Sequence, residues 1–262
     1  MAQIVDSSWQ DIFHFRDEAR TALRDHPSLE EAAQSLVELV YARFSDSAVL
    51  VRFFATIPYR LLPASNQDIV RALAIAKKVE DRLTEHTPVL SLLGTCGSQR
   101  EWNDRHQSQG HVGIPLVSTA FVEEIPMVAS LLKELEFDLE CLNSQDTEFA
   151  QRNLEGGISG LFYVEDAAST TDSRGRLVIP AQDFVAQHNI KTVFGLGGIY
   201  PSGTFFTLVV FTRDIIERSV IAQYAPLVLT IQVTTTILDK ERRYFLKTGQ
   251  IAPRPASHAP TF

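Results

Sequence analysis

Residues 189–232 read NIKTVFGLGGIYPSGTFFTLVVFTRDIIERSVIAQYAPLVLTIQ, and this stretch decides the fold. Two β-rich runs, 192–197 and 204–212, flank Tyr200-Pro201-Ser202-Gly203, a sequence suited to a turn with proline in second place. The second run leads into a helical pattern from about residue 214 to 245, which Pro226 should kink. A hairpin feeding a helix implies antiparallel pairing, hence an α+β sheet with helices on it rather than a βαβ alternation. Residues 219–238 carry no charge and are long enough to span a bilayer. Gln223, Pro226, Gln232 and several threonines interrupt them, however. Ile216, Val220, Tyr224, Leu227, Ile231 and Leu238 form one stripe, the pattern of a helix packed on protein.

Upstream, Trp9, Ile12, Phe13, Phe15, Ala19 and Leu23 line a first helix that breaks at His26-Pro27. Ser28 caps a second, with Glu31 three residues on and Leu29, Ala33, Leu36, Val40 and Phe44 inward. Residues 48–55 predict a strand with Val49, Val51 and Phe53 on one face and Leu50, Arg52 and Phe54 on the other. A helix capped by Ser65 should run to Leu83 with Ile69, Leu73, Ala76 and Val79 inward. Short strands follow at 89–93, 114–117 and 160–165, with a helix around Pro126 and another from Pro180 to His188. The domain plan is N-terminal helices over 1–45, one sheet-based domain over 46–245, and a disordered proline-rich tail over 246–262.

With 24 basic against 32 acidic side chains, the net charge of −8 speaks against general binding to nucleic acid or an anionic membrane. The two cysteines, Cys96 and Cys141, suit a reducing cytosol, and no secretory signal is legible, so a cytoplasmic location is expected. No phosphate-binding loop or HExxH is present. The glycines of FGLGG lack the third member of a dinucleotide fingerprint, because Tyr200 stands there. They mark either a close backbone approach or a ligand lying against the strand.

Chemistry concentrates in the loop 94–111, GTCGSQREWNDRHQSQGH. Long loops held between core strands often carry function. Trp102 offers a stacking face and Arg105 an anion-binding fork, with Asn103, Asp104, His106 and His111 as hydrogen-bonding neighbours. Asn103 and Asp104 could equally fold the loop on itself. Cys96, His106 and His111 match no standard metal spacing, so no metal is assigned. Cys96 is either a buried thiol or a nucleophile beside a histidine, and Cys141 reads as core.

The closing stretch resembles the final hairpin and helix of GAF-like domains of bacterial signalling proteins. EWNDRHQSQGHVGIPL, residues 101–116, is similar to a segment of sensory regions attached to histidine kinases and cyclases. With IPAQDFVAQH the resemblance spans roughly 48–238. It implies an antiparallel sheet of five or six strands. The first and last helices should pack on one face, and a small-molecule pocket should lie on the other under loops and short helices. It places Trp102, Asn103, Asp104, Arg105 and His111 on the pocket side, with His106 of the same loop as a further candidate ligand contact, and leaves ligand and cofactor unidentified. The expected function is a cytosolic small-molecule sensor whose output a signalling partner supplies. The alternatives are a thiol-dependent enzyme such as a free methionine sulfoxide reductase, with Cys96 as nucleophile, and a pocketless interaction scaffold. Apolar residues off the main stripe, Ile221, Val228, Leu229, Val233 and Ile237, together with Trp9, Phe13 and Phe15, predict a homodimer through the terminal helices.

Overall fold

Six strands form one antiparallel sheet in the order β3-β2-β1-β6-β5-β4. They are β1 (Ala48–Pro58), β2 (Pro88–Gly97), β3 (Gly113–Pro115), β4 (Ser159–Val164), β5 (Val193–Ile199) and β6 (Phe205–Thr212). The structure, a computed structural model, describes residues 4, 7–108, 112–135, 137, 139–142 and 159–246. The tail from 247 and the side chain of Cys141 lie outside the described residues. Every residue of β5 and β6 is buried, as their unbroken apolar runs require of strands covered on both faces. The hairpin forms as the sequence predicts. Tyr200 N donates to Thr204 O at 2.8 Å, and Gly203 takes a φ of +88° that a side chain would resist.

One face carries the long helices α1 (Trp9–Ala22), α2 (Leu29–Arg43) and, from the far end of the chain, α8 (Pro226–Lys240). Ser8 and Asp11 close a capping box on α1, and Ser28 accepts from Glu31 N on α2. Phe15, Leu36, Val40, Leu227 and Ile231 pack there on Val51, Phe53, Phe194, Phe206 and Leu208. At Gly94 a Cβ would stand 2.7 Å from the Ala33 carbonyl group, so glycine lets α2 lie directly on β2. Gln34 completes the clamp by bonding both the N–H and the carbonyl of Thr95, each at 3.1 Å.

Among the described residues, the other face carries short pieces: α4 (Thr119–Glu123), α5 (Pro126–Glu134), α6 (Gln182–His188) and the loops between them. α3 (Ala64–Ala76) packs beside the β3 edge. Its inward residues are Asn66, Val70 and Ala74, whereas Ile69 is exposed. Its start at Pro63 rather than at a Ser65 cap, and its stop where Lys78 turns to positive φ, shift the expected face by one residue.

The last helical stretch is two helices, α7 (Arg218–Ala222) and α8, because Pro226 opens the second at a position that needs no N–H. It ends at Lys240, short of the expected 245. The run Arg218–Lys240 is long and apolar enough by length and composition to cross a membrane. Here Leu227, Val228, Ile231 and Leu238 are buried against the sheet-side core. Ile221 and Val228, expected on an outer surface, are also buried; Leu229, Val233 and Ile237 are exposed.

Candidate functional site

A bulge in β2 determines which side chains meet on the loop-covered face. Phe53 pairs with Gly94 and Phe54 with Leu92, so Leu93 is the extra residue. Leu93, Gly94 and Cys96 therefore face the helices, and Thr95 and Gly97 face the loops. Arg52 lies on that same face, directly opposite Thr95 on one side and Val209 on the other. Thr207 stands two pairs further along β6, opposite Phe54 and on the same face.

Three polar atoms here are buried without a hydrogen-bond partner: Arg52 Nε, Thr95 Oγ1 and Thr207 Oγ1. The guanidinium makes one long bond, from Nη2 to Ser108 Oγ at 3.4 Å. No carboxylate among the described residues is paired with it; the side-chain ion pairs lie elsewhere. Burial alone pulls its pKa down to about 10, which still leaves it cationic at neutral pH. An unpaired cation and two idle hydroxyls are costly in a core, so they mark the face as unusual.

The loop above them is built largely from its own side chains. Asn103 Oδ1 accepts from Gly97 N at 2.8 Å, and Asp104 Oδ1 accepts from His106 N at 2.9 Å. Trp102 seats its ring on Gly97, where a Cβ would come within 2.8 Å of it. The ring meets His188 and Phe184 edge-on at 4.8 and 5.6 Å. It thus walls the loop side two residue pairs from Arg52, the next pair on the same face, since Gly97 opposes Leu50.

Arg105 differs from expectation. It is 5% exposed rather than a surface cation, its fork is ion-paired with Glu30 of α2, and its guanidinium lies 5.2 Å from the Phe245 ring. His106 is exposed, with Nε2 3.7 Å from the same Glu30 carboxylate. Both side chains thus reach toward α2 and not toward Arg52. His111 lies outside the described residues. Of the expected site residues, Trp102 and Asn103 are held at Gly97, on the face that carries Arg52. Arg52, Thr95 and Thr207 escaped the sequence reading. The only available signal was a lone arginine within an otherwise apolar strand.

Cys96 is buried on the helix face, across the sheet from this cluster. Burial, reinforced by the Glu38 charge, pushes its thiol up to about 11. Among the described residues no group of three or more His, Cys, Asp or Glu side chains could hold a metal ion.

Away from this cluster, a cavity of about 290 Å³ opens at the β4 edge, lined by Glu123, Lys133, Glu134, Tyr163 and the 170–176 loop. Its charges answer one another. Glu123 pairs with Lys133 and Arg174, and Arg176 pairs with Asp172.

No protein-family model matches the sequence, and no curated protein matches it. Among solved structures, the chain is similar to the phycoerythrobilin-bound GAF domain of a cyanobacterial phytochrome. The identity is 11%, over 91% of this chain and all of that one, with a TM-score of 0.45. It is also similar to the GAF domain of an Acinetobacter phosphoenolpyruvate-protein phosphotransferase, at 13% identity over 92% of this chain and 99% of that one, with a TM-score of 0.44.

Proposed function

We propose that this chain is a GAF-like sensory module that binds a small molecule on the loop-covered face of its sheet and responds through the helices on the opposite face. The observation that carries this reading is the asymmetry of the two faces. Long helices close one with apolar side chains, while on the other a half-buried arginine has its Nε sealed and unpartnered beside two buried, unpartnered hydroxyls. Each unsatisfied buried group costs about 1–3 kcal/mol, and more when charged. A ligand that completes those bonds would offset the cost. The sheet architecture and the helix placement agree with what the sequence resemblance implies.

The thiol-enzyme alternative is disfavoured by Cys96 itself, which lies across the sheet with its thiol protonated at neutral pH. We further propose that the cytosolic chain acts as a homodimer. α1 packs along α8, with Arg16 Nε donating to Thr230 Oγ1 at 3.5 Å. They leave Trp9, Phe13, Leu229, Val233 and Ile237 exposed. Leu229, Val233 and Ile237 recur every four residues, a stripe that a second copy would cover by two-fold symmetry.

A thermal-shift screen of the full chain against mixed neutral and charged metabolites tests the sensory reading. Stabilisation by at least one compound, lost on Trp102→Ala but not on Val233→Ser, supports it. No shift across the panel favours the pocketless scaffold.

A further inference from the structure

We infer that the ligand is a small carboxylate, held by Arg52 with Thr95 as its second donor. The inference rests on the sensory reading and assigns the chemistry of that same face. Arg52 Nε and the adjacent Nη project as a parallel pair of donors, a spacing that matches the two oxygens of one carboxylate. Nε has no partner, and the Nη2 bond to Ser108 is long enough to exchange readily. Thr95, directly across the strand pair, has an unpartnered Oγ1 that can donate one further bond to the same anion.

The charge balance selects among anions. Arg52 is one cation with no carboxylate paired to it among the described residues, so a monoanion neutralises it and a phosphate dianion overshoots. The surroundings select among carboxylates. Leu50, Phe54 and Val209 flank Arg52 on this face, and the Trp102 ring seats on Gly97, opposite Leu50. The body attached to the carboxylate should therefore be apolar or flat. Nε is sealed from solvent, so binding must open this face as the carboxylate takes the place of the Ser108 hydroxyl on Nη2.

The test is calorimetric titration and thermal shift on the full chain with acetate, pyruvate, hexanoate and benzoate. The neutral amides of hexanoate and benzoate, and inorganic phosphate, serve as comparators. The expected result is that an apolar carboxylate binds and its amide does not. Arg52→Gln should then weaken it about ten- to a hundredfold, and Thr95→Val about threefold to tenfold. Should Arg52→Gln fail to fold by circular dichroism, the carboxylate–amide contrast on the wild type and the Thr95→Val variant decide alone. Phosphate binding more tightly than every carboxylate overturns the assignment, as does a carboxylate bound equally by Arg52→Gln. A neutral compound that binds wild type and Arg52→Gln alike overturns the inference but keeps the sensory reading. If nothing binds in either the ionic or the neutral set, both fail.

Discussion

Arg105 is ion-paired to Glu30, and this bond fastens the β2–β3 loop to the helix on the far side of the sheet edge. The pair separates two arginines that look alike in the sequence. Arg105 is buried with its counter-ion, whereas Arg52 has its Nε buried with none. Their removal should therefore have opposite consequences.

Arg105→Met leaves the largely buried Glu30 carboxylate without its partner. The expected loss is about 3 kcal/mol, because a broken buried pair strands a charge. The double variant Arg105→Met/Glu30→Met should recover most of it. Urea denaturation of the three proteins, read as a double-mutant cycle, checks both statements. Equal losses in single and double variants would show that the pair is not the relevant contact.

Arg52→Met should instead stabilise the ligand-free protein, by about 1 kcal/mol, since it replaces an unpaired cation with a side chain suited to the surrounding apolar face. A binding group retained at the expense of stability is a common trade at functional sites. A clear loss of stability in the same urea experiment would mean that Arg52 has a structural role.

Cys96 supplies a pH test. Its folded pKa, about 11, lies above the ordinary thiol value of 9.0, so the folded state holds the proton more tightly than the unfolded state. Its contribution to stability is full below pH 9 and is lost as the pH rises toward 11. The wild-type stability minus that of Cys96→Ala should therefore be flat below pH 9 and decline above it. At pH 8, alkylation of Cys96 in the folded protein should be about a hundredfold slower than of an ordinary thiol, as mapped by peptide mass spectrometry. Rapid modification at Cys96 would revive the nucleophile reading.

Light scattering should report a species of twice 29.3 kDa at micromolar concentration. Val233, 68% exposed, can become glutamate with little effect on a monomer's fold. Val233→Glu should shift the species to 29.3 kDa without lowering its thermal midpoint at low concentration. A wild-type monomer that persists on concentration would contradict the dimer.

Elements written in local chemistry were legible in the sequence. The β5–β6 hairpin follows from Pro-Ser-Gly between two apolar runs, and α2 from Ser28 followed by Glu31. The alternation in β1 correctly set Arg52 against Val51 and Phe53, but Val49, expected with them, packs on the loop-covered side, where the register shifts between Ala48 and Leu50. What escaped depended on partners distant in sequence. Strict alternation along β2 puts Thr95 on the helix side with Val89, and only the bulge at Leu93 turns it toward Arg52. Arg105 looked like a free cation because Glu30 lies 75 residues away. Ile221 and Val228 looked surplus because the break at Pro226 rotates their faces inward. A single arginine in a strand reads as a solvated face until both sides of the sheet are known to be covered.

Hydrogen–deuterium exchange of the full chain, with and without a saturating concentration of the carboxylate giving the largest thermal shift, tests the central claim most directly. The account predicts slowed exchange in β1 around Arg52 and in residues 92–108, with a smaller change along α8. It predicts no change at the Glu123–Arg174 cleft. Protection confined to that cleft or to the helix face, or none despite saturation, would contradict it.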